Sequence, residues 1–423
     1  MLANSKLVHA KAVAIGLLLA SMLAGCATNR MMPTPVVYTG PEAKSVFAGA
    51  GTGSAPPPLD LLFLTDRAKG DGVEEPYTSE RSRSIAFGST IVEINDDRSL
   101  ALGPTKELGR FPPIPYPLTA ASDGMQRAPS VVEAHEQAKL RLQEEIARRL
   151  SIARRKEVVL FVHGYRESFE DAAMTMGELC HFLGRDFVCA IFTWPAGATG
   201  GRLFGYDVDY ESSEYAVQDL VKVIRIIAAT PGLERIHFIA HSRGTDTLAS
   251  ALADLSVQAY AGRSSPAQAF HVGNVVLVAP DLDGDVALAK IFKVFSDPDL
   301  PFGERPDPLA TIPPSPGLKL TLYVSRDDKA LATSGWLFGS IARLGRIDAS
   351  MFTPDQIAMI GNLDAVDIIE VRGATDFFGH SYFVSNPNVS GDIVAMLRYG
   401  LRPNEPGRPL ENVVGPFWRV AGS

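Results

Sequence analysis

Short apolar runs alternate along the chain with longer stretches of helical period. Glu157–Val162 is a continuous apolar run of the kind a strand buried on both faces needs, and Phe187–Pro195, Ile236–Ala240, Val275–Asp281, Leu318–Ser325 and Val366–Val371 repeat it. Between them the period lengthens. Ser130–Lys156 carries Ala138, Leu142, Ile146, Leu150 and Ala153 on one face, with Glu144/Arg148 and Glu145/Arg149 spaced as ion pairs. Ser168–Leu183, Tyr215–Ala228, a stretch opening at Gly244 with Leu248, Leu252 and Leu255 on one side, and Val389–Tyr399 also read as helices. Strand and helix in alternation predict an α/β fold, a mostly parallel central sheet with helices on both faces. Leu59–Thr65 and Ser84–Ile94 read as strands extending that sheet at its edge, and Pro104–Pro117 as a proline-rich segment without regular structure.

The beginning of the chain has a different pattern. Lys6 and Lys11 lead into an apolar stretch from Ala12 to Leu23, too short to span a bilayer and of the length of a secretory signal core. It ends in Leu23-Ala24-Gly25-Cys26, which resembles the bacterial lipobox. That resemblance implies a signal peptide over 1–25, a lipidated Cys26 as the new first residue and, with Ala27 following, the periplasmic face of the outer membrane. An ordinary signal peptide with a chance cysteine is the competing reading. Residues 26–57, rich in Gly, Ala, Thr, Ser and Pro, read as a flexible tether; Gly49, Gly51 and Gly53 have no strand before them and no helix after, so they make no dinucleotide loop. The rest divides into an N-terminal extension over 58–156, a main domain over 157–405 and a C-terminal tail over 406–423.

A net charge of −8 over 423 residues argues against a nucleic-acid partner. Protein partners are not legible. Beyond Cys26 only Cys180 and Cys189 remain; they could pair across a helix–strand turn in an oxidising compartment or stay as buried thiols. The basic cluster Arg148, Arg149, Arg154, Arg155 and Lys156 fits a solvated helix end better than a lipid-binding patch. His135-Glu136 resembles half a zincin motif, but Lys139 stands where the second histidine belongs, so no metal is expected, and no cofactor. The loop with Gly197, Gly200, Gly201 and Gly205 lacks the Gly-Lys-Ser/Thr of a phosphate loop.

The candidate chemistry lies at Ala240-His241-Ser242-Arg243-Gly244, a strand–turn–helix corner with a serine at its apex and small residues two positions to either side. With Ala240 in the first glycine's place, it resembles the nucleophile elbow of the α/β-hydrolases. A serine hydroxyl needs a histidine to take its proton, and that histidine needs a carboxylate to hold it. Two histidines follow Ser242: His271 precedes a strand, at the wrong edge of a parallel sheet, while His380 follows the last strand and is the expected base. For the acid, Asp281 and Asp283 follow one strand, Asp327 and Asp328 the next. The later position is the more usual in the fold, which favours Asp328 over Asp281, with Asp327 as a helix-start residue and Asp281 a capping carboxylate.

Ser325-Arg-Asp-Asp-Lys-Ala-Leu331, Phe192-Thr-Trp-Pro195, Ala279-Pro-Asp-Leu-Asp283 and His380-Ser-Tyr382 are similar to motifs of a bacterial group of poorly characterised α/β-hydrolases, over roughly residues 155–400. The hydrolase resemblance also implies an oxyanion hole from the backbone N–H groups of Tyr165, in His163-Gly164-Tyr165, and Arg243. His241 reads as a packed or substrate-facing residue, and Trp336-Leu337-Phe338 as either an acyl-chain wall or core. The expected function is a lipid-anchored serine hydrolase acting on small acyl esters, with a partner-binding envelope lipoprotein of little catalytic power as the alternative.

Overall fold

The computed structural model describes residues 30–39, 56–72, 75–197, 202–291, 293–300, 305, 307–309, 318–338, 343–373 and 379–422. The signal peptide with Cys26, the glycines Gly200 and Gly201 and the side chains of Trp336, Leu337 and Phe338 lie outside the described residues.

In chain order the strands are β1 (Leu59–Lys69), β2 (Tyr77–Ile94), β3 (Leu100–Arg110), β4 (Leu118–Ala121), β5 (Gly124–Arg127), β6 (Glu157–Val162), β7 (Val188–Thr193), β8 (Arg235–His241), β9 (Val272–Val278), β10 (Lys319–Val324), β11 (Val366–Glu370), β12 (Leu410–Val414) and β13 (Phe417–Val420). The longer helices are α1 (Pro129–Ile152), α2 (Phe169–Phe182), α3 (Arg202–Ala228), α4 (Gly244–Ala261), α5 (Gly284–Ile291), α6 (Lys329–Phe338), α7 (Pro354–Asn362) and α8 (Pro387–Tyr399).

Among the described residues one 11-stranded sheet runs β12-β13-β11-β10-β9-β8-β6-β7-β1-β2-β3, with β4–β5 a separate hairpin. The strands from β13 to β1 are parallel, and β2, β3 and β12 pair antiparallel at the two edges. Alternation along each strand sends side chains to opposite faces. Leu62, Leu64, Leu160 and Phe238 pack under α1, α3 and α4. Leu61, Phe63, Phe161 and Ile239 pack under α2 and α8. The mostly parallel, two-faced sheet expected from the pattern is the one found.

Several segments differ from expectation. Pro104 lies inside β3, which pairs with β2 alone. An outermost strand tolerates a residue without an N–H, so a proline-rich composition did not exclude a strand here. Helix α3 begins at Arg202 rather than Tyr215 and takes in Gly205. Its first turns are pinned by a long-range contact: Asp209 accepts hydrogen bonds from the Gly197 and Arg166 N–H groups at 3.0 and 3.2 Å. Residues 406–423, expected as a tail, supply β12 and β13 to the sheet.

Part of the expected tether is docked rather than free. Met31 and Met32 are buried, the Met32 N–H donates to Glu178 at 2.7 Å, and the Tyr38 hydroxyl donates to the Phe182 carbonyl at 2.6 Å. The basic cluster at the end of α1 is consumed locally. Arg149 pairs with Glu145 and Asp60, Arg155 with Glu157, and the Lys156 ammonium donates to the Leu150 and Ala153 carbonyls. Cys180 and Cys189 form a disulfide, Cα–Cα 6.1 Å, tying the end of α2 to β7.

Candidate active site

Strands β6 and β8 are neighbours, but β6 connects through α2 to β7 on one side while β8 connects through α4 to β9 on the other. Chains that leave adjacent strands in opposite directions open a crevice at the carboxyl ends, where α/β sheets bind ligands. Ser242 stands at that edge. Its φ is +51°, left-handed backbone that a non-glycine residue adopts only when its surroundings hold it. The Ser242 N–H donates to Val278 O at 3.0 Å, and its carbonyl accepts from the Thr245 hydroxyl at 2.6 Å and the Thr245 N–H at 3.1 Å.

The two glycines around the serine are required by space. A Cβ on Gly244 would lie 2.2 Å from the His163 carbonyl oxygen, and one on Gly164 would lie 2.9 Å from Ser242 Cβ. The loop after β6, with half-buried Tyr165 next to Gly164, therefore passes directly against the serine. Arg243 opens α4, and its guanidinium is held by Ser213 at 3.2 Å and Asp246 at 3.1 Å, and lies 4.0 Å from the Tyr210 ring centroid.

His380 Nδ1 lies 2.7 Å from Asp328 Oδ2, and Asp328 is fully buried. A carboxylate accepts only, so Nδ1 carries a proton, and in the neutral ring Nε2 then keeps its lone pair. The other Asp328 oxygen accepts the Leu331 N–H at 2.9 Å, so Asp328 also caps α6. This corrects the expected division of roles, since Asp327 is not the helix-capping residue; it accepts from the Gly373 N–H at 3.4 Å. Asp281 accepts from the Ser334 hydroxyl at 2.6 Å and lies 3.5 Å from Arg343. Of the two candidate acids, the structure brings Asp328 to His380. His271, just before β9, stands at the opposite edge.

Three residues hold the site in roles that the sequence reading did not assign. Tyr382 ties the His380 loop to the sheet: its hydroxyl donates to Tyr323 O at 2.7 Å and accepts from the Ala279 N–H at 3.0 Å. Arg67, 1% exposed, donates to Thr193 Oγ1 (2.7 Å), Ala196 O (3.0 Å), Glu167 O (2.6 Å) and His163 Nε2 (3.3 Å). Burial lowers its pKa to about 10. His163 Nε2 also accepts the Trp194 N–H at 3.0 Å, so its proton sits on Nδ1, 2.9 Å from Gly164 O. Burial, reinforced by the Arg67 charge, lowers the His163 pKa to about 4 and keeps it neutral.

The third is Glu167. It accepts from the Gly164 N–H at 3.0 Å, and its Oε1 lies 3.1 Å from His241 Nδ1. Burial is the largest influence and opposes its ionisation, but the His241 contact, the nearby His163 and the Gly164 N–H together leave its pKa below the usual carboxylate value. His241 packs against the rings of His380 and Phe383, with centroids 4.9 and 4.8 Å away. It is a packed residue. The only sequence signal for Arg67 was a charge at the end of an apolar strand, and Glu167 had none. Among the described residues no group of three or more His, Cys, Asp or Glu is placed to hold a metal ion.

The family described as alpha/beta hydrolase of unknown function (DUF900) matches residues 138–398, well over half of the chain. No curated protein matches the sequence. Similar solved structures include an uncharacterized protein from Bacillus cereus ATCC 10987, at 13% identity and a TM-score of 0.28 over 58% of this chain. The chain covers 63% of that protein, less than two thirds of its length. Esterase B from Lactobacillus rhamnosis, inhibited by a tributyrin phosphonate, is 16% identical over 50% of this chain and 77% of its own, with a TM-score of 0.24. Phospholipase PlaB from Legionella pneumophila is 16% identical over 54% and 43%, with a TM-score of 0.23. Scores this low carry neither activity nor substrate to this chain.

Proposed function

The chain belongs to the alpha/beta hydrolases of unknown function, and from its site we propose a serine hydrolase that cleaves carboxylic esters through an acyl-enzyme. The observation that carries the proposal is a base with one nitrogen committed to a buried carboxylate, His380 Nδ1 to Asp328 at 2.7 Å, in a chain whose serine sits in the left-handed turn of an elbow.

In this mechanism Ser242 Oγ attacks the ester carbonyl while His380 Nε2 takes its proton, and Asp328 holds the ring and offsets the imidazolium charge. The carbonyl oxygen becomes an oxyanion held by the Tyr165 and Arg243 N–H groups, the latter also at the positive end of α4. Each such donor contributes about 3 kcal/mol to the transition state. The alcohol leaves with the proton from His380, and water releases the acid by the same steps in reverse. Thioesters and amides present the same carbonyl chemistry, so the fold alone does not select among them.

The proposal extends to the N terminus. Cys26 carries the lipid and holds the enzyme at the cell envelope, on the periplasmic face of the outer membrane; the support is the Leu23–Cys26 motif. Among the described residues no helix is long and apolar enough to cross a membrane. The test is turnover of p-nitrophenyl esters of increasing chain length by a soluble form starting after Cys26, beside Ser242→Ala, with fluorophosphonate labelling in parallel. Turnover and labelling lost in Ser242→Ala support the serine hydrolase. Neither activity nor labelling in the parent protein leaves an envelope protein that binds a partner through this fold.

A further inference from the structure

The pair of half-buried Glu167 and buried His241 touches all three segments of the site. Glu167 Oε1 takes the N–H of Gly164, next to the oxyanion donor Tyr165, at 3.0 Å, and His241 Nδ1 at 3.1 Å. His241 directly precedes the nucleophile, and its second nitrogen, Nε2, lies 3.3 Å from the carbonyl oxygen of His380, the base. One acid and one imidazole therefore link the loop after β6, the elbow after β8 and the loop after β11, through contacts separate from the Asp328–His380 bond.

Both ring nitrogens of His241 face atoms that only accept, a carboxylate on one side and a peptide carbonyl on the other. A neutral imidazole has one N–H; an imidazolium has two. Both hydrogen bonds exist together only when the ring is charged, and the Glu167 carboxylate is the counter-charge. Among the described residues, the other charged and titratable groups near the pair include Arg67, which donates to the Glu167 carbonyl, neutral His163, and the His380–Asp328 couple.

We propose that Glu167 and His241 are positioning residues of the hydrolase, an ion pair that fixes the oxyanion loop relative to the base. This rests on the serine-hydrolase reading above. Neither residue exchanges a proton with substrate. Their work is to keep the Gly164–Tyr165 backbone and the His380 ring in register, where a misplacement of about 1 Å costs on the order of 100-fold in rate.

Two measurements on the full soluble chain decide it. The first is selective 15N-histidine NMR of the resting protein, with His241 assigned by its loss in His241→Gln. The proposal requires both His241 nitrogens protonated at neutral pH, and a singly protonated ring in Glu167→Gln, which keeps an acceptor oxygen but loses the charge. A neutral His241 in the parent protein overturns it, whether or not any ester is turned over.

The second is kinetic. Glu167→Gln and His241→Gln are each expected to lower kcat about 10- to 100-fold with KM within about 2-fold, and the double variant to be no slower than the worse single, as for residues acting as one unit. Thermal unfolding checks that each variant is folded. Folded variants with unchanged kcat, or losses that multiply, overturn the pair. Ser242→Ala run alongside separates the two failures: turnover that survives it sinks the serine mechanism, while the NMR result still judges the ion pair.

Discussion

Ser242 shows how little room the site leaves around a single residue. Its hydroxyl is presented by a backbone at φ +51°, with Gly164 on one side and Gly244 two residues on. Adding a methyl group to Gly244 places it 2.2 Å from a backbone oxygen that cannot rotate away. Gly244→Ala is therefore expected to lose about 2–3 kcal/mol in denaturant unfolding. Gly164→Ala meets the Ser242 side chain instead, so the expectation is a loss of ester turnover with a smaller change in stability. The two acids separate in the same way. Asp328→Asn keeps the oxygen that caps α6 but turns the His380 tautomer, and should lower kcat about 1,000- to 10,000-fold. Asp281→Asn, which bonds Ser334 and neighbours Arg343, should cost about 1–3 kcal/mol of stability and leave kcat within about 10-fold. Equal kinetic losses in the two variants would remove Asp328 from its proposed role.

At the scale of elements, helix α2 binds neighbours at both ends. Its N terminus is a capping box between Ser168 and Asp171, directly after Glu167, which accepts the Gly164 N–H. Its C terminus is joined to β7 by the Cys180–Cys189 disulfide. Closing so short a loop contributes about 2.5 kcal/mol by restricting the unfolded chain, so Cys180→Ala with Cys189→Ala should lower unfolding stability by about that much. Glu178, also on α2, takes the Met32 N–H of the docked N-terminal segment, and burial raises its pKa to about 8. A carboxyl whose folded pKa lies above the ordinary 4.5 binds its proton more tightly when folded. The stabilisation is complete below about pH 4.5 and is lost as pH rises through about 8. Unfolding measured at pH 5, 7 and 9 should show the native protein weakening at the alkaline end, and Glu178→Gln, which keeps an acceptor without an ionisable proton, weakening less.

For the whole molecule, the two ends of the parallel strands have different neighbours. Among the described residues the docked segment starts with Arg30, which bridges to Ser99 beyond the start of β1, at the edge where the parallel strands begin. Ser242 is at the edge where they end. A strand of six residues rises about 20 Å, so the two edges lie about that far apart along the strand direction. Three residues lie between Cys26 and Arg30, so the four steps from one to the other reach about 14 Å at full extension. Anchored as proposed, the enzyme turns its catalytic edge away from its own bilayer. A lipidated form on vesicles should hydrolyse a water-soluble ester as fast as Cys26→Ser does in solution. It should gain nothing on a long-chain ester dissolved in the same bilayer; a strong gain there would contradict this orientation.

Local pattern and chain order determined much of this by themselves. The period of apolar residues separates strands from helices, their alternation requires a parallel two-faced sheet, and a serine between Ala240 and Gly244 at a strand–helix corner marks the elbow. The choice of His380 as the proposed base came from sheet polarity, because His271 precedes a strand and His380 follows one. Tertiary structure decided the rest, since those contacts join residues distant in sequence. Asp328 and Asp281 both follow strand ends, and only the fold brings one of them to a histidine 52 residues away. Glu167 meets His241 across 74 residues and Arg67 meets His163 across 96, with no period or spacing to announce either. The strands containing Pro104 and residues 410–420, and the docking of Met31 and Met32, likewise depend on partners that the local sequence does not contain. A chain can show by its own pattern what each segment is, but which polar groups face one another in a buried site is set by packing among segments.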